Sequence, residues 1–255
     1  MTSRTCGTSA HDNLRIIPPD APPLTVEIVD SPPPRAPALE AAIDRRWAQI
    51  TGANPRAFDG PVLAFADDDP AHNTITAYRE RYRRLAAQPE VDTGVVQLGV
   101  TGLCLCADDA GTTHALIARR TNATRAYAGL WECAPSGGLD PPDGVRIDTA
   151  ELFEAFGKEC GEELDLPSAP AHVRAAAVLR DPVASSVEIV IEARFDGAPC
   201  ELVPRAIGSG SHAHGWEYDA ARWVPIQAIP EFVRKEAGTL TPPTVALLSG
   251  LFGSP

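Results

Sequence analysis

Residues Leu152 to Leu166, which read LFEAFGKECGEELDL, constrain this chain more than any other stretch. At 3.6 residues per turn, Leu152, Phe153, Phe156, Cys160 and Leu164 form one apolar stripe, the pattern of a helix laid on a core. Glu159, Glu162 and Glu163 stand at i, i+3 and i+4 beside that stripe, so their carboxylates share one region of the helix surface. Carboxylates held together repel one another, and a divalent cation removes that repulsion. Hard oxygen donors suit Mg2+, with Mn2+ as the other choice. The same cluster on its own also reads as a solvated acidic face. Asp148 or Thr149 is placed to cap the helix, Glu151 lies in its favourable first turn, and Pro167 stops it.

Elsewhere the chain alternates strand-like and helix-like stretches. Residues 1–23 are Pro-rich and polar and are expected to be loosely held. Strands are expected at 24–29, 62–65, 94–106, 114–118, 131–134, 173–179, 187–195 and 221–226, those at 173–179 and 187–195 being antiparallel neighbours. Helices are expected at 38–50, 75–87, 229–236 and 241–251, the last opened by Thr241 and two prolines. The 75–87 stretch carries Arg79, Arg81, Arg83 and Arg84, the most basic patch of the chain. Asp67 to Asp69 reads as a turn, 140–148 as a loop, and 201–215 as a Gly/Ser-rich loop holding His212 and His214. This order of elements suits a mixed sheet sandwiched between helices, in the α/β class. It divides into the loose N-terminus, an α/β subdomain over 24–90 and a larger domain over 91–255.

The net charge of −12 comes with no compensating basic stripe, which argues against broad nucleic-acid binding. A small phosphorylated substrate stays open, provided a metal or specific Arg residues supply local positive charge. No apolar run is long enough to span a membrane, and the first residues lack an apolar signal core, so a cytoplasmic location is expected. The six Cys show no CxxC pair and no zinc-like spacing, and their apolar contexts predict buried reduced thiols.

Two segments together carry a family resemblance. Trp131 to Leu139 reads WECAPSGGL, and Lys158 to Leu166 reads KECGEELDL. The pair resembles the box of the Nudix hydrolases: a Gly, a Glu, then Arg-Glu-apolar-any-Glu-Glu-any-Gly-apolar. Lys158 stands where that family has Arg, and Asp165 where it has Gly. The gap from Gly138 to Lys158 is longer than the norm, and the upstream Glu falls on Ala150, next to Glu151. The Glu triplet is complete. The AELF start at 150–153, the long insertion after the Gly pair, AIDRRWAQITGANPRAFDGPVLAFA at 42–66 and TAYRERY at 76–82 resemble the branch that cleaves UDP-glucose and UDP-galactose.

That resemblance implies a Nudix-type α/β/α sandwich with an N-terminal α/β subdomain that helps to hold the substrate. It implies Mg2+-dependent hydrolysis of a UDP-sugar to UMP and a sugar 1-phosphate, with a nucleotide-sugar as the partner molecule. The alternatives are a Nudix pyrophosphatase acting on ADP-ribose or another nucleoside diphosphate derivative, and a nucleotide-binding Nudix domain without turnover. Glu159, Glu162 and Glu163 are then the metal ligands, joined by Glu188 if its strand faces the helix. Glu162, Glu163 and Glu217 are the catalytic candidates, Glu217 as general base. For the substrate the candidates are Gly138, whose backbone approaches it; Tyr78, which stacks on the base; Arg79; and Arg119 or Arg120, which alternation sends to opposite faces. Lys158 is expected to pair with Glu154 one turn earlier.

Overall fold

The computed structural model describes residues 13–29, 32–55, 57–166, 169–199 and 217–253. Cys6, Cys200, Pro167, His212 and His214 therefore lie outside the described residues. The chain runs β1 (Leu14–Ile16), β2 (Thr25–Val29), α1 (Pro37–Ala53), β3 (Pro61–Asp69), β4 (Thr74–Arg81), α2 (Tyr82–Ala86), β5 (Gln97–Ala107) and β6 (Thr113–Arg120). It continues through β7 (Trp131–Cys133), β8 (Ser136–Gly138), β9 (Arg146–Ile147), α3 (Thr149–Leu164), β10 (His172–Asp181), β11 (Ser186–Phe195) and β12 (Tyr218–Pro225). A single 3-10 turn leads into α4 (Ile229–Glu236) and α5 (Pro242–Phe252).

The strands join in one sheet, ordered β1-β10-β11-β5-β3-β4-β2-β9, with β6 bridging β12, β5 and β7, and β8 on β5. β11 runs parallel to β5 and β2 parallel to β4, while the remaining pairs are antiparallel, so the sheet is mixed as expected. Side chains alternate across it with period two. On β5, Leu98, Val100 and Cys104 join the core under α3, while Leu103 and Leu105 join the core under α4 and α5. β6 divides in the same way, with Leu116 and Ala118 on one face and Ala115 and Ile117 on the other. Helices therefore cover both faces, which is the α/β sandwich expected from the order of elements.

α3 buries the stripe read from the sequence: Leu152, Phe156, Cys160 and Leu164 are all inaccessible. Its start is fixed by a capping box. Asp148 accepts from the Glu151 N–H at 3.0 Å, and the Glu151 carboxylate accepts from the Asp148 N–H at 2.8 Å. Glu151, the acid nearest the family's upstream Glu, is thus engaged in holding its own helix. The helix ends on Asp165 in the left-handed region, φ 52°.

Three expectations are corrected. Residues 75–87 form β4 and the short α2 rather than one helix. The β-branched run Thr74-Ile75-Thr76 followed by Tyr78 favours an extended chain, and pairing on both sides with β3 and β2 decides it. Asp67 to Asp69 end strand β3, and the turn follows them, with Asp69 accepting from the Ala71 N–H at 3.0 Å. Within the Pro-rich start, Leu14–Ile16 is a strand on β10, and Ile17 is buried behind it. β3 to β4 belong to the same sheet as the rest, although β3 meets β5 at a single paired position, Ala64 with Gln97. Cys104, Cys106, Cys133 and Cys160 are buried and form no disulfide, as expected.

Candidate functional site

The site forms where β8 and the start of β12 meet the last turns of α3. β8 lies antiparallel on β5, placing Gly138 opposite Gly99 and Ser136 opposite Thr101. The Ser136 N–H points at Glu163, whose Oε2 accepts it at 3.3 Å. Glu159 lies directly against Gly137: a Cβ at Gly137 would sit 2.8 Å from the Glu159 carboxyl carbon, so any side chain there would push this carboxylate aside. Gly138 in turn faces the Gln97 side chain. Glu217, just before β12, hydrogen-bonds Glu163 and lies 3.8 Å from the Arg120 guanidinium. Glu162 is half-buried on the outer side of the same helical turn.

Electrostatics binds Glu159, Glu163 and Glu217 into one group. Burial, then the Glu217 charge, then the Glu159 charge push Glu163 up to about 10. Burial, then Glu162, raise Glu159. Burial also raises Glu217, and Arg120 opposes that shift. Each carboxylate is thus costly to ionise beside the others, and shared protons or a cation relieve the cost.

Beyond β8 opens a cleft of about 240 Å³. Gly138, Arg120, Glu132, Glu188 and Glu217 line it. Glu132 is buried and accepts from both Arg120 and the Tyr218 hydroxyl, the latter at 2.8 Å. Burial raises the Glu132 carboxyl, and the Arg120 charge offsets part of that. Arg120 is also held by the Ala126 carbonyl at 3.1 Å, so its charge is fixed at the cleft wall. Glu188 sits apart from the α3 carboxylates. It is pushed up to about 8 by burial, and its charged neighbours are Glu132, Asp181 and Arg120. Its Oε2 is buried without a hydrogen-bond partner, 2.5 Å from where a Cβ at Gly99 would stand. Glycine on β5 is what admits this carboxyl to the cleft floor.

The remaining expected residues lie elsewhere. Arg119 pairs with Asp219 at 2.7 Å and stacks on Trp131, on the face opposite Arg120. Tyr78 is buried in a small core with Ala64, Leu85 and Val95, so its ring is covered by protein. Arg79 holds the inserted loop, donating to the Pro142 and Gly144 carbonyls. Lys158 approaches Asp140 in that loop at 3.9 Å, where Glu154 had been the expected partner. Both ends of that pair are exposed, so it adds little stability.

Sequence reading missed Glu132, Asp181, Tyr127 and Arg125, which complete the cleft wall. Glu132 did carry a signal, as the lone acid in the apolar strand WECA. The Tyr127 hydroxyl donates to Asp181 at 2.7 Å from a segment far off in sequence, and nothing local announces that contact.

As a metal centre the group fits in donor chemistry: clustered, half-buried carboxylate oxygens suit a hard divalent cation. The Gly137 cradle brings one of those donors in close. Among the described residues, however, no three acidic, His or Cys side chains converge on one point, so the donors are gathered without being fully preformed. Also among the described residues, no helix is long and apolar enough to cross a membrane.

No family model matches the chain, and no curated protein matches it. Solved structures do. The NUDIX domain of Shewanella oneidensis NrtR complexed with ADP ribose is 15% identical, over 61% of this chain and 86% of that one, with a TM-score of 0.40. A NUDIX hydrolase from Alicyclobacillus acidocaldarius is 16% identical, over 62% of this chain and 92% of that one, with a TM-score of 0.42. The MutT protein of Methanosarcina mazei Go1 is 19% identical, over 61% and 93% of the two chains, with a TM-score of 0.38.

Proposed function

We propose that this chain is a Nudix-type hydrolase that cleaves the diphosphate of a nucleoside diphosphate derivative with the help of a divalent cation. The observation that carries this reading is the gathering of Glu159, Glu163 and Glu217 around Ser136 and Gly137, at the mouth of a cleft that holds a fixed guanidinium. A diphosphate resists water because its oxygens are already negative. A bound Mg2+ or Mn2+ would lower that charge and acidify a water molecule.

Glu159, Glu163 and Glu217 would hold the cation, with Glu162 alongside. The Ser136 N–H orients Glu163, and Gly137 sets the approach of Glu159. Arg120, held by Glu132 and the Ala126 carbonyl, presents its positive charge to a phosphate in the cleft. Glu217, between Glu163 and Arg120, is the base proposed to take the proton of the attacking water. Glu188, protonated through neutrality, offers a hydrogen bond from the cleft floor.

A UDP-sugar is the narrower reading. It rests on the resemblance of 42–66 and 76–82, while the buried Tyr78 and the loop-bound Arg79 give it no uridine-holding pair at the cleft. The test is product release from UDP-glucose, ADP-ribose and ADP-glucose with and without Mg2+. Mg2+-dependent cleavage of any of them supports the hydrolase, and cleavage of UDP-glucose alone supports the narrower reading. Nucleotide binding with no cleavage of all three overturns the hydrolase in favour of a non-hydrolytic nucleotide-binding domain.

A further inference from the structure

A second cleft, of about 260 Å³, adjoins the first across a shared wall made of Arg125, Ala126, Tyr127 and Ala184. The two differ in chemistry. The first is lined by carboxylates and Arg120, whereas the second is lined largely by Pro89, Val183, Ala184 and the flank of Tyr127. Val183 is 73% exposed on the turn between β10 and β11, an apolar side chain left open at the rim. We infer that this second cleft is the subsite for the nucleobase, with the phosphates in the first cleft and Arg125 at the crossing between them. The inference rests on the diphosphate-hydrolase reading.

Three segments form the cleft, and each is tied down. Asp181 holds the β10–β11 turn by accepting from the Val183 N–H at 2.9 Å and the Ala184 N–H at 3.1 Å. The same carboxylate receives the Tyr127 hydroxyl, which fastens the wall to that turn. Arg125 donates to the Leu85 carbonyl at 3.2 Å, which fastens the wall to the end of α2, beside Gln88 and Pro89. A slot built this way is formed before its ligand arrives, so binding costs little ordering.

The lining selects a flat base over a sugar. Each sugar hydroxyl needs a polar partner when it leaves water. Here the polar side chains are three besides the Tyr127 ring: the Arg125 guanidinium, one end of which is engaged by the Leu85 carbonyl, the Ser185 hydroxyl, and the Gln88 amide, whose NH2 donates to the Val95 carbonyl at 2.8 Å and whose oxygen is left as an acceptor. A base fits this set, with two apolar faces and a small number of edge donors and acceptors.

Calorimetric binding of UMP, AMP and ribose 5-phosphate to the full chain with Mg2+ tests the subsite, in the wild type and in Val183→Asn. The substitution is neutral, so it leaves the attraction for the shared phosphate alone, and Val183 is exposed, so the fold is kept. The expected result is that the wild type binds UMP or AMP about tenfold more tightly than ribose 5-phosphate, and that Val183→Asn removes most of this preference without changing ribose 5-phosphate binding. Equal binding of all three by the wild type overturns the inference, as does equal weakening of all three by the variant. Turnover measured alongside separates the two ideas. Base preference without any diphosphate cleavage sinks the hydrolase and keeps the subsite, whereas cleavage without base preference sinks the subsite alone.

Discussion

The carboxyl carbon of Glu159 lies only 2.8 Å from the point where a side chain on Gly137 would begin. β8 and α3 are therefore fitted to each other at the one point where the candidate metal donor meets the loop. Gly137→Ala forces Glu159 aside. The expected outcome is a loss of Mg2+-dependent turnover of about 10- to 100-fold with stability changed by less than about 1 kcal/mol, because the group displaced is the end of a flexible side chain. Activity assays beside denaturant unfolding check it. An alanine variant with wild-type turnover would detach Glu159 from the chemistry.

Glu163→Gln keeps the shape and the Ser136 contact but cannot carry charge to a cation. Turnover should fall by at least about 100-fold, and the rise in melting temperature on adding Mg2+ should disappear. Because burial, Glu217 and Glu159 hold the Glu163 carboxyl up to about 10, the variant without metal should match or exceed the wild type in stability at neutral pH.

Glu188 offers a pH experiment separate from the α3 carboxylates. Its carboxyl is raised by burial to about 8, against an ordinary value of 4.5. Between these values the unfolded chain has released the proton while the native one keeps it, so stability falls as pH rises and is fully present below the unfolded value. Glu188→Gln removes this slope. Relative to the wild type, the variant should gain on the order of 4 kcal/mol at pH 8 and almost nothing near pH 4.5. Parallel unfolding curves for the two proteins across that window would show that Glu188 is not the buried acid described here.

Arg120 and Glu132 make a buried pair, and its two halves are not equivalent. Arg120→Ala leaves Glu132 without its cation, with only the Tyr218 hydroxyl still donating to it. Unfolding experiments at pH 7 should show a loss of about 3 kcal/mol, recovered in part by adding Glu132→Gln. If the arginine also meets phosphate, KM should rise more than this loss of stability explains, including at temperatures where the variant is fully folded.

Tyr127→Phe removes the donor to Asp181 and leaves the two turn amides in place. A cost of about 1 kcal/mol is expected, measured by thermal unfolding, together with faster amide exchange in residues 121–130.

The sequence was most legible where structure is local. The α3 stripe, its cap and the three glutamates all lie within one helix, so spacing alone places them, and Asp148 caps where expected. Residues 75–87 misled because four arginines at mixed intervals look like a solvated helix face. Those side chains instead find partners on several elements, such as Arg81 with Asp59 and Arg84 with Glu40 and Glu80. Strand pairing on both sides then outweighed the pattern. In the site, Arg119 and Arg120 were correctly sent to opposite faces by alternation, but the sequence alone did not show which one turns inward. That depends on Glu132 and Tyr218, which arrive from β7 and β12. Tyr127, Asp181 and Arg125 were invisible for the same reason, since each matters only through a contact between distant segments.

The parallel pairing of β11 with β5 has a consequence for the growing chain. Gly99 is made early and Glu188 much later, and the cleft floor exists only when these two strands lie side by side. α3 and its glutamates emerge between them. A ribosome paused just after α3 therefore carries the Glu triplet on a helix whose stripe lacks Ile189 and Ile191 to cover it. Synthesis thus delivers the α3 glutamates and the Arg120–Glu132 wall first, and Asp181, Glu188 and Glu217 reach the cleft only afterwards.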